Sequence, residues 1–186
     1  MNGLDYDGGI ALWRGDITRL NADAIVDACN SALLGCFHPL HNCIDNVIHS
    51  AAGIQVRLDC DKLMKGKWEP NGQVKVTKAY NLPSRYIFHT VGPIVYGSVT
   101  GQNRHDLANC YLSCLNEAAE MKLSTLAFCC ISTGEYRYPK DEACRLAVRT
   151  VKEWKKATGS SLKIILNVFL KEDEALYERE LTKQDR

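Results

Sequence analysis

The feature that most constrains this chain is a regular alternation of short apolar runs with longer stretches of helical periodicity. Candidate strands are Ile10 to Trp13, Ala24 to Ala28, Gln73 to Tyr80, Tyr86 to Val91, Thr125 to Ile131 and Leu162 to Phe169. Between them lie helical patterns near Ile44 to Ala52, Gln55 to Met64, Asn103 to Met121 and Lys140 to Lys156. In the third of these, Leu107, Cys110, Tyr111, Cys114, Leu115 and Ala118 recur at spacings of three and four, which puts one apolar stripe on one helix face. Strands separated by such helices predict an α/β sandwich, helices on either side of a mixed, largely parallel sheet.

A chain of 186 residues is long enough for one sizeable apolar core. No linker, repeat or composition break divides it, so residues 1–186 are expected to form a single domain, with 1–8 and 180–186 fraying. The charged stretch Glu172 to Arg186 reads as an exposed helix with a frayed tail. Trp13, Trp68 and Trp154 are expected to anchor packing, and His89, inside an apolar strand, to be a hydrogen-bonded core residue.

The formal net charge is +1, which excludes a global pull toward nucleic acid or an anionic membrane. No apolar run approaches membrane-spanning length, and the start (MNGLDYDGG) lacks the basic head and apolar stretch of a signal peptide. The expectation is a cytoplasmic protein. Its 9 cysteines are an odd number, and Cys29, Cys110, Cys114, Cys129 and Cys130 lie in apolar segments, where free thiols act as small hydrophobes. Buried thiols plus a metal site fit a reducing compartment better than a disulfide framework.

In an open α/β sheet, ligands sit beyond the carboxyl ends of the strands. Two loops there have suitable chemistry: Ala28-Cys29-Asn30-Ser31 and Ile131-Ser132-Thr133-Gly134-Glu135, the second leading to a helix after Pro139. Small hydroxylated residues and a glycine let main-chain amides approach a phosphate.

Between these loops in importance stands Cys36-Phe37-His38-Pro39-Leu40-His41-Asn42-Cys43, with four soft ligands in eight positions. From 9 Cys and 5 His in the chain, chance supplies about 0.6. Zinc needs thiolate and imidazole donors converging at about 2.0–2.3 Å. A proline-bearing turn separates Cys36 from His41, and His41 and Cys43, two apart, share one side of an extended segment. On spacing alone three readings stand: a three-ligand site with an open position, a four-ligand site closed by His38, and a plain loop with two buried thiols. Just downstream, Asp45 and His49 are four apart and would share a helix face. Asp45 suits a helix cap in the first turn, or a carboxylate that orients a ligand beside a metal.

Several of these segments together resemble the macrodomain family in order and spacing. They are Gly15-Asp16-Ile17-Thr18, Asp23 to Asn30 (DAIVDACN), Ile44 to Gly53 (IDNVIHSAAG), Tyr86 to Gly92 (YIFHTVG), Ile131 to Pro139 (ISTGEYRYP) and Asn167-Val168-Phe169. Where macrodomains usually carry a glycine-rich stretch before the aspartate, this chain has GCFHPLHNC, similar to the zinc-containing subclass associated with bacterial sirtuin-type ADP-ribosyltransferases. The resemblance implies a three-layer α/β/α sandwich, an ADP-ribose cleft and hydrolysis of ADP-ribose from mono-ADP-ribosylated proteins, with one zinc ion on Cys36, His41 and Cys43. It implies that Asp16 accepts from the adenine amino group, with the Ile17 backbone beside it and Phe169 packed on the base. Ser132, Thr133, Gly134, Glu135 and Tyr136 would surround the diphosphate. Asn30 would bind the distal ribose and Asp45 would sit beside its anomeric carbon. A reader that binds ADP-ribose without cleaving it, or a deacetylase of O-acetyl-ADP-ribose, would use the same pocket. Two departures stand out. Asp27-Ala28-Cys29-Asn30 replaces the usual Asn-Ala-Ala-Asn, and the chain begins almost at the domain, where the zinc subclass often has a helical extension.

Overall fold

A computed structural model describes residues 4–183. The strands are β1 (Ile10–Arg14), β2 (Ala24–Cys29), β3 (Val74–Lys78), β4 (Tyr86–Val91), β5 (Thr125–Phe128) and β6 (Lys163–Val168). The helices are α1 (Ile44–Ala52), α2 (Ile54–Met64), α3 (Gly101–Glu120), α4 (Lys140–Thr158) and α5 (Lys171–Leu181), with a 3-10 turn at Ile17–Arg19. The strands form one mixed sheet in the order β1-β6-β5-β2-β4-β3, in which only β3 runs antiparallel to its neighbour. Helices α1 and α2 pack on each other and reach β2 and β3; α3, α4 and α5 form a second group, α3 against β3 and β4 and α5 against β1. The expected mixed, largely parallel sheet flanked by helices is therefore present.

Local chemistry sets these elements. Thr100 and Asn103 form a reciprocal capping box at the start of α3, satisfying two amides that helix geometry leaves open. The predicted stripe Leu107, Cys110, Tyr111, Cys114, Leu115 and Ala118 is buried as a unit. Burial of each large apolar side chain in it contributes about 1.5–3 kcal/mol. Tyr111 meets Phe128 of β5 with ring centroids 4.9 Å apart. Helix α4 stops at Gly159, whose left-handed conformation a glycine adopts without strain. Among the described residues no helix is long and apolar enough to cross a membrane.

Some expectations need correction. β5 ends at Phe128 rather than Ile131, because Cys129 to Ile131 leave the sheet and Thr133 Oγ1 takes the Cys130 carbonyl at 3.0 Å. The C-terminal helix is not simply exposed: Asp173, Tyr177 and Glu180 are buried on one face, and Lys140 of α4 pairs with Asp173 at 3.0 Å. Trp154 is buried as expected, but Trp68 is 74% exposed and anchors nothing. Of the ends expected to fray, residues 1–3 and 184–186 lie outside the described residues. Asp7 forms a bridge with Ile10, and Leu181 still belongs to α5.

Two aspartates hold the sheet by unlike means. Asp23, at the entry of β2, accepts from the amides of Ser124 (2.7 Å) and Thr125 (3.1 Å) and from Arg85 (3.2 Å), tying the starts of β2, β4 and β5 together. Burial disfavours its charge, but those amides and the guanidinium outweigh burial and hold its carboxyl below the usual range. Asp27, mid-strand in β2, is fully buried. Its Oδ2 lies 3.1 Å from His89 Nδ1 on the neighbouring β4, and His89 Nε2 lies 2.9 Å from Thr77 Oγ1 on β3. His89 is thus the packed, hydrogen-bonded core residue the sequence predicts.

Replacing Asp23 by Ala is expected to lower stability at neutral pH by about 1.5–3 kcal/mol, the worth of hydrogen bonds to a charged group. Because the native value is depressed, the stabilisation is complete above about pH 4 and is lost as pH falls through it. Urea unfolding of both proteins at pH 7 and pH 3 should show the gap narrowing in acid. Asp27→Ala should cost about 1–3 kcal/mol by leaving buried His89 without its acceptor, and Asp27→Asn less, since an amide oxygen still accepts. An Ala variant with the parent's urea midpoint would show that this pair carries no weight.

Candidate active site

Five parallel strands end at the same edge of the sheet, so the segments following β1, β2, β4, β5 and β6 gather there. This is where Asp16, Asn30, the turn after β5 and Phe169 emerge.

At the β1 exit, Asp16 caps the 3-10 turn, its Oδ1 accepting from Thr18 N (3.0 Å) and Thr18 Oγ1 (2.7 Å). Ile17 is buried beside it, and its carbonyl accepts from Leu20 N at 3.1 Å. Asn167 on β6 donates to Gly15 O at 2.9 Å and fixes this exit against β6. Phe169 follows immediately and is 70% exposed, its ring free to pack on a flat ligand.

The turn after β5 is shaped by its own backbone. Ser132 is buried with φ 64, Tyr138 N donates to Ser132 O at 3.0 Å, and Val95 N donates to Tyr136 O at 2.9 Å. The amides of Thr133, Gly134, Glu135 and Tyr136 have no hydrogen-bond partner among the described residues. Consecutive free amides in a turn form a cradle for an anion. Gly92, at the β4 exit, lets the two segments press together: a Cβ there would collide with Ser132 Oγ.

The β2 exit carries the densest chemistry. Asn30 Nδ2 donates to Gly35 O (3.1 Å) and to Asp45 Oδ2 (3.2 Å), and Asn30 Oδ1 accepts from Ala32 N (3.0 Å). The two residues singled out for the distal ribose are therefore in direct contact. Gly35, with φ 80, brings the loop against the His49 ring, where a Cβ would lie 3.0 Å from His49 Cγ. Arg57 of α2 stacks on Phe37 of the loop, 4.5 Å from its ring centroid.

The loop brings together Cys36, His41 and Cys43, whose donor atoms all lie within 4.8 Å of one another. Cys36 Sγ is 3.3 Å from His41 Nδ1. Cys43 caps α1, accepting from Asn46 N at 3.4 Å, and Asn46 Nδ2 holds His41 O at 2.7 Å. His38 is not part of this group; its backbone amide donates to Cys36 Sγ at 3.4 Å. Burial works against the Cys36 thiolate, yet bonds from His38 N, His41 and Cys43 hold its pKa below the ordinary thiol value. Burial pushes Cys43 up to about 11 without a cation. Two thiols and an imidazole this close suit a zinc ion, with a fourth position open. A groove of about 790 Å³ runs from Asp16 and Arg19 past His41 and Asn46 to Asn81.

Beneath Asp45 lies a polar column of which the sequence showed the Asp45–His49 spacing and the buried His89, but not the Asp27 link that joins them. His49 Nε2 is 3.4 Å from Asp45 Oδ1 and 3.7 Å from Asp27 Oδ2, and Asp27 continues to His89 and Thr77. Burial pushes Asp45 up to about 8, helped by Asp27 and opposed by Arg57. It pushes Asp27 up to about 7, and the imidazoles of His49 and His89 down to about 4 and about 3. Near neutral pH the four groups thus carry little net charge, as a dry column must. The available signal was Asp27 itself, a carboxylate inside an otherwise apolar strand.

The Macro domain family model matches residues 26–147. The chain is 51% identical over 175 residues to a protein-ADP-ribose hydrolase of Treponema medium, covering 93% of this chain and 67% of that protein. It is 52% identical over 171 residues to the protein-ADP-ribose hydrolase of Staphylococcus aureus strain MRSA252, covering 90% and 64%. The chain thus spans about two thirds of the length of these curated relatives. Among solved structures it is similar to the Oceanobacillus iheyensis macrodomain with ADP (TM-score 0.82, 33% identity, 92% of this chain and 89% of that one). It is similar too to the Trypanosoma brucei macrodomain in complex with ADP-ribose (TM-score 0.81, 33% identity, 93% and 70%). With its sheet order and these relatives agreeing, the chain belongs to the macrodomain family.

Proposed function

We propose that this macrodomain is a zinc-dependent hydrolase that removes ADP-ribose from mono-ADP-ribosylated proteins. The observation that carries this reading is the 3.2 Å contact between Asn30 and Asp45, beside three convergent metal donors at the mouth of a strand-end cleft. The names of the relatives, protein-ADP-ribose hydrolase in two bacteria, support the same reading.

In the bound state Asp16 receives the adenine amino group and Phe169 covers the base. The turn from Ser132 to Tyr136 meets the diphosphate through its free amides. Asn30 orients the distal ribose, and Asp45, held by Asn30 and backed by His49, faces the anomeric carbon. There Asp45 in its ionised form, which gains population as pH rises toward about 8, accepts the proton of the attacking water or orients it as the bond from the anomeric carbon to the acceptor side chain breaks, which supplies about 10²–10⁴ of rate in comparable sites. Cys36, His41 and Cys43 would hold the zinc, which would supply Lewis-acid polarisation of an oxygen. Two thiolates would neutralise the ion's charge, so positioning of the substrate stands beside water activation as its contribution.

The enzyme that installs the modification would be a sirtuin-type ADP-ribosyltransferase, and the cytoplasm, a reducing compartment, suits the nine cysteines, all free here.

The test is release of ADP-ribose from a modified acceptor protein by the parent, Asp45→Ala, Cys36→Ala and chelator-treated enzyme. Asp45→Ala should fall at least about 100-fold in kcat, and zinc added back should restore the chelated parent but not Cys36→Ala. Unchanged rates in all three would overturn the mechanism. Tight calorimetric binding of ADP-ribose with no turnover would identify a reader instead, and faster turnover of O-acetyl-ADP-ribose than of modified protein would identify a deacetylase.

A further inference from the structure

His41 sits between two loops that are far apart in the chain. Its Nδ1 lies 3.3 Å from Cys36 Sγ, inside the donor trio, whereas its Nε2 lies 3.2 Å from Glu135 Oε1, in the turn after β5. The backbone of His41 is already fixed by Asn46, so the remaining freedom is rotation of the imidazole. An imidazole that binds a metal through one nitrogen donates its other N–H to an acceptor, often a carboxylate. That acceptor sets the tautomer and the ring's orientation, and raises the basicity of the coordinating nitrogen.

We infer that the Glu135 carboxylate is the outer partner of His41 in the metal centre, and that it couples metal binding to ADP-ribose binding by tying the diphosphate turn to the metal loop. This rests on the zinc reading above. Glu135 is a positioning residue: it acts through His41 on one side and through its own turn on the other. The turn is held elsewhere by Val95 N on Tyr136 O, Arg137 N on Gly134 O and Tyr138 N on Ser132 O, none of which reaches the Cys36–Cys43 loop. The Glu135 side chain supplies the tie across the cleft mouth.

The energetics favour a role that depends on the ion. The side chain of Glu135 is 69% exposed, and an exposed ion pair of this kind contributes little in water. A metal on Nδ1 withdraws charge from the ring and makes Nε2–H a stronger donor to the carboxylate. The tie is then firmest when the centre is loaded, and the turn's amides are held ready for the diphosphate. By thermodynamic reciprocity, each ligand strengthens the other by the same factor.

The test begins with elemental analysis of the purified chain and then measures zinc affinity by chelator competition in the parent, Glu135→Gln and Glu135→Ala. Parallel calorimetry measures ADP-ribose affinity with and without zinc. Zinc should bind about tenfold or more weakly to Glu135→Ala, while Glu135→Gln, whose amide oxygen still accepts an N–H, recovers part of the loss. The parent should bind ADP-ribose more tightly with zinc than without it, and that difference should vanish in Glu135→Ala. Equal zinc affinity in parent and Glu135→Ala would overturn the role of Glu135 and leave the zinc site standing. A parent that takes up no zinc at saturating metal would overturn both.

Discussion

The side-chain amide of Asn30 donates to Gly35 O and to the Asp45 carboxylate while its oxygen accepts from Ala32 N. One residue at the exit of β2 thereby grips the loop that follows at its near side and at the start of α1. The donors Cys36, His41 and Cys43 lie between those two grips, so their convergence depends on where Asn30 points. Asn30 in turn is aimed by β2, the strand gripped by β4 on one side and β5 on the other. The rigid centre of the sheet thus sets the least regular part of the molecule, which is how an irregular loop can hold a precise set of ligands.

Behind this loop the protein tolerates an expensive arrangement. Two carboxylates and two imidazoles lie in the dry interior between β2, β4 and α1. Each alone would be costly; together they offset, with burial raising the acids and lowering the bases until little charge remains. The column reaches Asp45 from below, so this carboxylate at the β2 exit faces a polar stack rather than solvent. A neutral Asn at position 27, usual in the resembling family pattern, would change that stack without disturbing the strand.

Much of this was legible in the sequence, and what was not has a common cause. Periodicity located the strands and α1 to α4 within a few residues, because a half-buried stripe of apolar side chains repeats locally. The Cys36–Cys43 loop stood out because four soft donor side chains fall within eight positions, although His38 does not join the other three. The Asp27 link between His49 and His89 did not stand out, since the three lie on separate elements that only the fold brings together. The Glu135–His41 contact was hidden for the same reason. Charge density in α5 pointed to an exposed helix, but Asp173 and Glu180 are buried through partners on α4 and on α5's own flanks, which composition cannot reveal. Trp68 shows the converse: a large apolar residue finds no place in a core already filled by others.

The pairing of β1 with β6 has a consequence for how the chain matures. β1 and β6 lie about 150 residues apart in sequence yet run side by side, so this edge of the sheet cannot form until the segment between them has been made. Closing such a long loop is slow compared with forming the local β2–α1–α2 and β3–β4 contacts. The Asn30–Asp45 contact joins residues fifteen apart, whereas Asp16 and Phe169 are brought together only by the β1–β6 pairing, so the two ends of the proposed pocket rest on contacts of very different sequence separation.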